Sequence, residues 1–188
     1  MDSLNEALYH SRTSAPLLGW VRPEGGAYPP QIIYSPVKLE NMNCVVEADD
    51  RRGAIFLGDV ISVKKEELLQ EHNIRAILSC AVESCTWKAN IVYDPRDSPN
   101  HKIDAFQSIR AHDIYSYDIS KHFEEAIAFI NQHTKLGKNV LVHCHAGVSR
   151  SAAILAAFLI RERKCTAEQA VAFIKSKRPR ARPNEAFV

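Results

Sequence analysis

Cys144 and Arg150, with five residues between them, are the pair in this 188-residue sequence best suited to chemistry on an anion. Just before them Val140, Leu141 and Val142 form a short apolar run of buried-strand character, followed by His143. Just after them Ser151 opens Ala152-Ala153-Ile154-Leu155-Ala156-Ala157-Phe158-Leu159-Ile160, apolar on every side and long enough for a buried helix. The order is strand, tight loop, helix. Backbone N–H groups at a helix start lack intrahelical partners, and the helix dipole adds about half a positive charge. A closed loop there makes a nest for a tetrahedral anion, with Gly147 supplying the unusual dihedrals. His145, Ala146, Gly147, Val148 and Ser149 then bind through the loop, and Arg150 folds its planar fork back onto two oxygens. The same positive field favours the thiolate at Cys144, the nucleophilic form of a cysteine.

Two plainer readings stand beside this one. The first is a buried cysteine under a helix with a surface arginine. The second is a metal site at His143, Cys144 and His145. Successive strand residues point to opposite faces, so three in a row do not converge on one ion.

His143-Cys144-x5-Arg150 resembles the His-Cys-x5-Arg signature of the cysteine-based protein phosphatases. The full run His-Cys-His-Ala-Gly-Val-Ser-Arg-Ser is similar to the dual-specificity branch. The resemblance extends over about residues 40–188: Ile55-Phe56-Leu57-Gly58 with a following helix and Ile74–Ala81, then Asp113-x4-Asp118-Ile119-Ser120-x2-Phe123, then Arg178-Pro179…Pro183-Asn184…Phe187. It implies a single α/β domain with a central, mainly parallel sheet flanked by helices. It also implies a protein phosphatase acting on phosphotyrosine and phosphoserine/phosphothreonine through a phosphocysteine, with no metal or organic cofactor. Phosphorylated proteins, a protein kinase among them, are the implied substrates. In that scheme Cys144 attacks, while Arg150 and the loop amides hold the equatorial oxygens. Ser151 hydrogen-bonds the sulfur, and His143 orients the cysteine backbone. A departing alkoxide needs a proton, and Asp113, thirty-one residues before Cys144, stands where the family places its general acid. Asp97, Asp104 and Asp118 compete for that role, Asp118 also as a helix cap. A phosphate-binding module without turnover, or a phosphatase of a phosphoinositide or glycan, is the alternative. Lipid phosphatases of this superfamily tend to carry loop lysines, where this chain has His145, Ala146, Val148 and Ser149. Cys80, at a strand end, reads either as a small core residue or, as in some relatives, as a partner that traps an oxidised nucleophile. Ala153 replaces a polar residue common in the family, a packing change.

The elements that must position these groups follow from pattern. Residues 1–36, with five prolines and Gly25-Gly26, read as an N-terminal arm, and 37–188 as the catalytic domain. Strands are expected at Asn43–Glu47, Ala54–Leu57, Ile74–Cys80 and Ile91–Tyr93, with one helix over Ile61–His72. A second helix, capped by Asp118 or Ser120, runs to about Lys135 with Ile119, Phe123, Ala126, Ile127 and Ile130 on one stripe. Thr166-Ala167-Glu168-Gln169 is a capping box that opens a last amphipathic helix. The basic run around Arg178, Arg180 and Arg182 reads as the ordinary end of the fold, with a docking patch for acidic partners as the alternative. The family's final helix is expected to be missing after Val188.

The formal net charge of +2 is too small to argue for nucleic acid. Five cysteines at irregular spacings suit a reducing cytosol or nucleus rather than a disulfide framework. Asp2 and Glu6 with no continuous apolar core argue against a signal peptide, and Asp2 excludes N-myristoylation. No window is long and apolar enough to span a bilayer.

Overall fold

Alternating side chains on short apolar strands require a cover on both faces of a sheet, and the chain supplies one on each. The structure is a computed structural model that describes residues 40–81 and 101–187. Its strands are β1 (Met42–Val46), β2 (Ile55–Gly58), β3 (Ile74–Ser79), β4 (Ala105–Ser108) and β5 (Asn139–His143). They form one sheet in the order β1-β2-β5-β3-β4, antiparallel between β1 and β2 and parallel elsewhere. The mainly parallel α/β sheet expected from the sequence is therefore present. The signature strand β5 lies at its centre, paired through Leu141 with Phe56 on one side and Ile77 on the other.

The helices are α1 (Val60–Lys64), α2 (Glu66–Glu71), α3 (Phe123–Lys135), α4 (Arg150–Arg163) and α5 (Ala167–Lys177). Val140 and Val142 of β5, with Ile55, Leu57, Ala76 and Leu78, pack on the face covered by α3, α4 and α5. Leu141, Phe56 and Ile77 point the other way, onto Val63, Leu69 and Met42. Helix α4 is buried without a break from Arg150 to Leu159, which is why its sequence is apolar all round. Ala153 is 1% exposed within it, a packing position.

Two expectations differ from the structure, and one strand was not expected. The single helix over Ile61–His72 is two, because Lys65 takes an extended conformation (φ −96°, ψ 92°) and its Nζ donates to Asn41 Oδ1 at 2.8 Å. The β-branched Val60, Ile61 and Val63 hold a helix weakly, so this break costs little. Strand β4 was not legible: only Ala105–Ser108 pair with β3, at the sheet edge, where partial burial removes the alternating pattern. Helix α3 begins at Phe123 after a 3₁₀ turn at Ser120–His122, and Asp118 Oδ1 accepts from Ser120 N (2.9 Å) and Oγ (2.6 Å) ahead of it. The Thr166–Gln169 capping box is formed as expected. Residues 1–36 and the strand expected at Ile91–Tyr93 lie outside the described residues.

Candidate active site

Parallel strands end together, so the C-terminal edge of this sheet gathers the residues after β2, β3 and β5. His143 closes β5, Cys144 follows, and α4 starts at Arg150. His143 pairs with Gly58 on one side and Ser79 on the other. Between them the Cys144–Ser149 loop turns at Gly147, whose φ is +62°. A Cβ there would lie 2.5 Å from Gly58 O, so the strand beside the loop admits only glycine. Replacing Gly147 with Ala combines a strained dihedral with a backbone clash. A loss of at least about 2 kcal/mol in urea-unfolding stability is the expected result.

Cys144 is 1% exposed, and Ser151 Oγ donates to its Sγ at 3.1 Å. Arg150 enters the same space: its Nη1 donates to Cys80 O (3.3 Å) and Ala111 O (3.2 Å). Those carbonyls come from the end of β3 and the loop after β4, so two separate elements aim the guanidinium. Asp113 meets the loop from the other side. Its Oδ1 accepts from Ser149 Oγ at 2.7 Å, and its Oδ2 lies 3.5 Å from Arg150 Nε, an ion pair without hydrogen-bond geometry. The loop that carries Asp113 is closed across its base by Tyr117, whose hydroxyl donates to Arg110 O. His145 and Ala146 are exposed at the crest, while Gly147 and Ser149 are buried.

The competing carboxylates are placed elsewhere. Asp104 pairs with Arg75 (2.8 Å) and Lys138 (3.0 Å), and these partners hold its carboxyl below the usual range. Asp118 serves the 3₁₀ turn before α3, and Asp97 lies outside the described residues. Cys80 continues from Ser79, the partner of His143, and its N–H donates to His143 O at 2.8 Å. Burial pushes the Cys80 thiol well above its ordinary value, with Cys144 adding to the rise. Among the described residues no group of His, Cys, Asp or Glu is arranged to hold a metal ion.

His143 is 3% exposed, and neither ring nitrogen has a hydrogen-bond partner among the described residues. Burial pulls the imidazole down from 6.5 to about 4, against weaker upward pulls from the Cys144 backbone and Asp59. The folded chain therefore keeps this ring neutral while the unfolded chain protonates it. Its contribution is intact above about pH 6.5, falls as pH drops toward about 4, and then falls no further. That window corresponds to roughly 3 kcal/mol. Urea unfolding of wild type should show this slope, and His143→Asn should flatten it.

Sequence reading missed the supports behind the loop. Arg178 is 1% exposed and its Nε donates to Gly147 O at 2.9 Å. Burial lowers its guanidinium to about 10, with Arg180 adding to the fall. Arg180 pairs with Asp59 at 2.6 Å, and Asp59 in turn caps α1 through Ile61 N and Ser62 N. Arg178 and Arg180 thus serve the fold rather than a docking face. Asn184 N donates to Ser149 Oγ at 3.1 Å, tying the same segment to the hydroxyl that holds Asp113. Only the spacing of Arg178, Pro183 and Asn184 hinted at these roles.

A tight loop between a central parallel strand and a buried helix, with a cysteine at its foot and an arginine at the helix start, is the arrangement of a phosphatase-type α/β domain. A family model, the dual specificity phosphatase catalytic domain, matches residues 55–188. The chain is 36% identical over 139 residues to MAP kinase phosphatase with leucine-rich repeats protein 3 of Dictyostelium discoideum, covering 71% of this chain and 14% of that protein. It is 31% identical over 135 residues to dual specificity protein phosphatase 1 of Arabidopsis thaliana, covering 71% of this chain and 62% of that protein. The phosphatase domain of Yvh1 from Chaetomium thermophilum superposes with a TM-score of 0.62 at 26% identity, covering 78% of this chain and 90% of that one. The chain belongs to the dual specificity phosphatase catalytic-domain family.

Proposed function

We propose that this chain is a protein phosphatase that hydrolyses phosphotyrosine and phosphoserine/phosphothreonine in protein substrates through a phosphocysteine at Cys144. The single observation that carries this reading is the convergence of Cys144, Ser151, Arg150 and Asp113 on one loop at the start of α4. In the first step the Cys144 sulfur bonds to phosphorus as the P–O bond to the substrate breaks. Asp113 gives its proton to that departing oxygen. Arg150 and the loop N–H groups stabilise the three equatorial oxygens. In the second step a water oxygen bonds to phosphorus, the S–P bond breaks, and Asp113 takes the water proton. Inorganic phosphate leaves. The Ser151 hydroxyl, already donating to the sulfur, stabilises the thiolate as it departs.

A phosphorylated protein kinase is a candidate substrate, because the matched Dictyostelium relative is named a MAP kinase phosphatase. A reducing compartment, cytosol or nucleus, fits Cys44, Cys80, Cys144 and Cys165, all of which are free thiols. Among the described residues no helix is long and apolar enough to cross a membrane.

Release of phosphate from an aryl phosphate and from phosphotyrosyl and phosphothreonyl peptides tests the activity. Vanadate-sensitive turnover of the aryl phosphate and both peptides is expected. Phosphopeptide binding with no release would identify a binding module instead. Release confined to phosphoinositide or phosphoglycan would move the substrate out of the protein class.

A further inference from the structure

The phosphate loop is held from outside by its carbonyl groups. Val60 N donates to His145 O at 3.1 Å, Arg178 Nε to Gly147 O at 2.9 Å, and Arg182 N to Val148 O at 2.8 Å. Peptide units are planar and trans, so a carbonyl drawn outward turns the next N–H inward. The Gly147 bond therefore sets the direction of the Val148 N–H. Of the three donors, only that of Arg178 is a side chain. Its fork is anchored on the far side as well: Nη1 donates to Asn43 Oδ1 (2.6 Å) and Glu40 O (3.2 Å), and Nη2 to Asn41 O (3.4 Å). One buried guanidinium thus joins the loop to the β1 edge of the sheet. It also packs against the bare face of Gly147, where a Cβ would lie 2.6 Å from its Nη2.

We propose that Arg178 is a positioning residue for phosphoryl transfer, holding the Gly147–Val148 peptide with its N–H turned toward the bound oxyanion and touching no substrate itself. The inference rests on the phosphatase reading of this loop. A glycine imposes little on its own peptide plane, so without the arginine that unit is free to turn over. The loop would then lose a donor and present a carbonyl oxygen to the anion.

Titration calorimetry with sodium tungstate, kcat/KM on an aryl phosphate and thermal unfolding are to be compared in wild type, Arg178→Met, Arg178→Lys and Asn43→Ala. In Arg178→Met folded at the assay temperature, tungstate affinity and kcat/KM should each fall on the order of 10–100-fold. Arg178→Lys should keep most of that loss, because an ammonium cannot span Gly147 O and the β1 groups together. A merely structural role would lower the melting temperature and leave both quantities at wild-type values in the folded protein, which overturns the proposal. Full recovery in Arg178→Lys would assign the effect to charge alone and overturn it too. Should Arg178→Met not fold, Asn43→Ala decides: about a threefold or greater fall in tungstate affinity is expected, and no change overturns the proposal. Wild type that binds tungstate without turnover would remove the phosphatase reading while the affinity comparison still judges Arg178.

Discussion

Cys144→Ser should abolish turnover, lowering kcat by at least about 10⁴-fold, while the protein stays folded and still binds oxyanions. The loss is expected because a serine hydroxyl, unlike a thiol, stays protonated in the positive field of the loop and is a weak nucleophile. The group beside Sγ is Ser151 Oγ, a donor aimed at it, and burial makes the His143 imidazole a weak base, pulled down to about 4. Binding should survive because the loop amides and Arg150 do not depend on sulfur: Arg150 is held by the Cys80 and Ala111 carbonyls. Stability should change little, since serine retains the hydrogen bond to Ser151 in a site 1% exposed. Steady-state kinetics with tungstate titration and thermal unfolding on the same sample checks all three. A variant that kept a substantial fraction of wild-type turnover would place the nucleophile elsewhere.

The second large effect belongs to Asp113. Asp113→Asn should lower kcat on the order of 10²–10⁴-fold, because an amide cannot give a proton to the leaving oxygen. The loss should depend on the leaving group. An alkyl or phenolic oxygen of a phosphorylated side chain needs the proton, whereas an activated nitrophenolate leaves almost without it. The amide oxygen can still accept from Ser149 Oγ, now at 2.7 Å from Oδ1, so the loop should stay in place and KM should shift less than kcat. Asp104→Asn and Asp118→Asn serve as controls: the first carboxylate pairs with Arg75 and Lys138, and the second supports a turn. A loss of similar size in either control, with Asp113→Asn near wild type, would reassign the acid.

Much of this architecture can be read from the chain because its centre is encoded locally. Val140–Val142 alternates faces of a buried strand, and the apolar run from Ala152 marks a helix with no solvent face. The loop between them has too few residues to do anything but turn. The capping box at Thr166 is equally local. What escaped reading depends on partners distant in sequence. Strand β4 is a strand only because Ala105–Ser108 meet β3 at the edge. The break at Lys65 follows a bond to Asn41, and Arg178 looks like any surface cation until its fork is seen spanning Gly147 and β1. In the same way, Asp113 and Arg150 are legible as residue types, but their aim is fixed by Ser149, Cys80 and Ala111.

The phosphoryl group should be caught on sulfur. Asp113→Asn mixed with nitrophenyl phosphate, whose leaving group needs no proton, and quenched in acid should yield a phosphorylated peptide containing Cys144 by mass spectrometry, because the base of the second step is missing, and Cys144→Ser should yield none. Phosphate release at wild-type rate with no modified Cys144 peptide under any quench time, or the modification on another residue, would contradict the account.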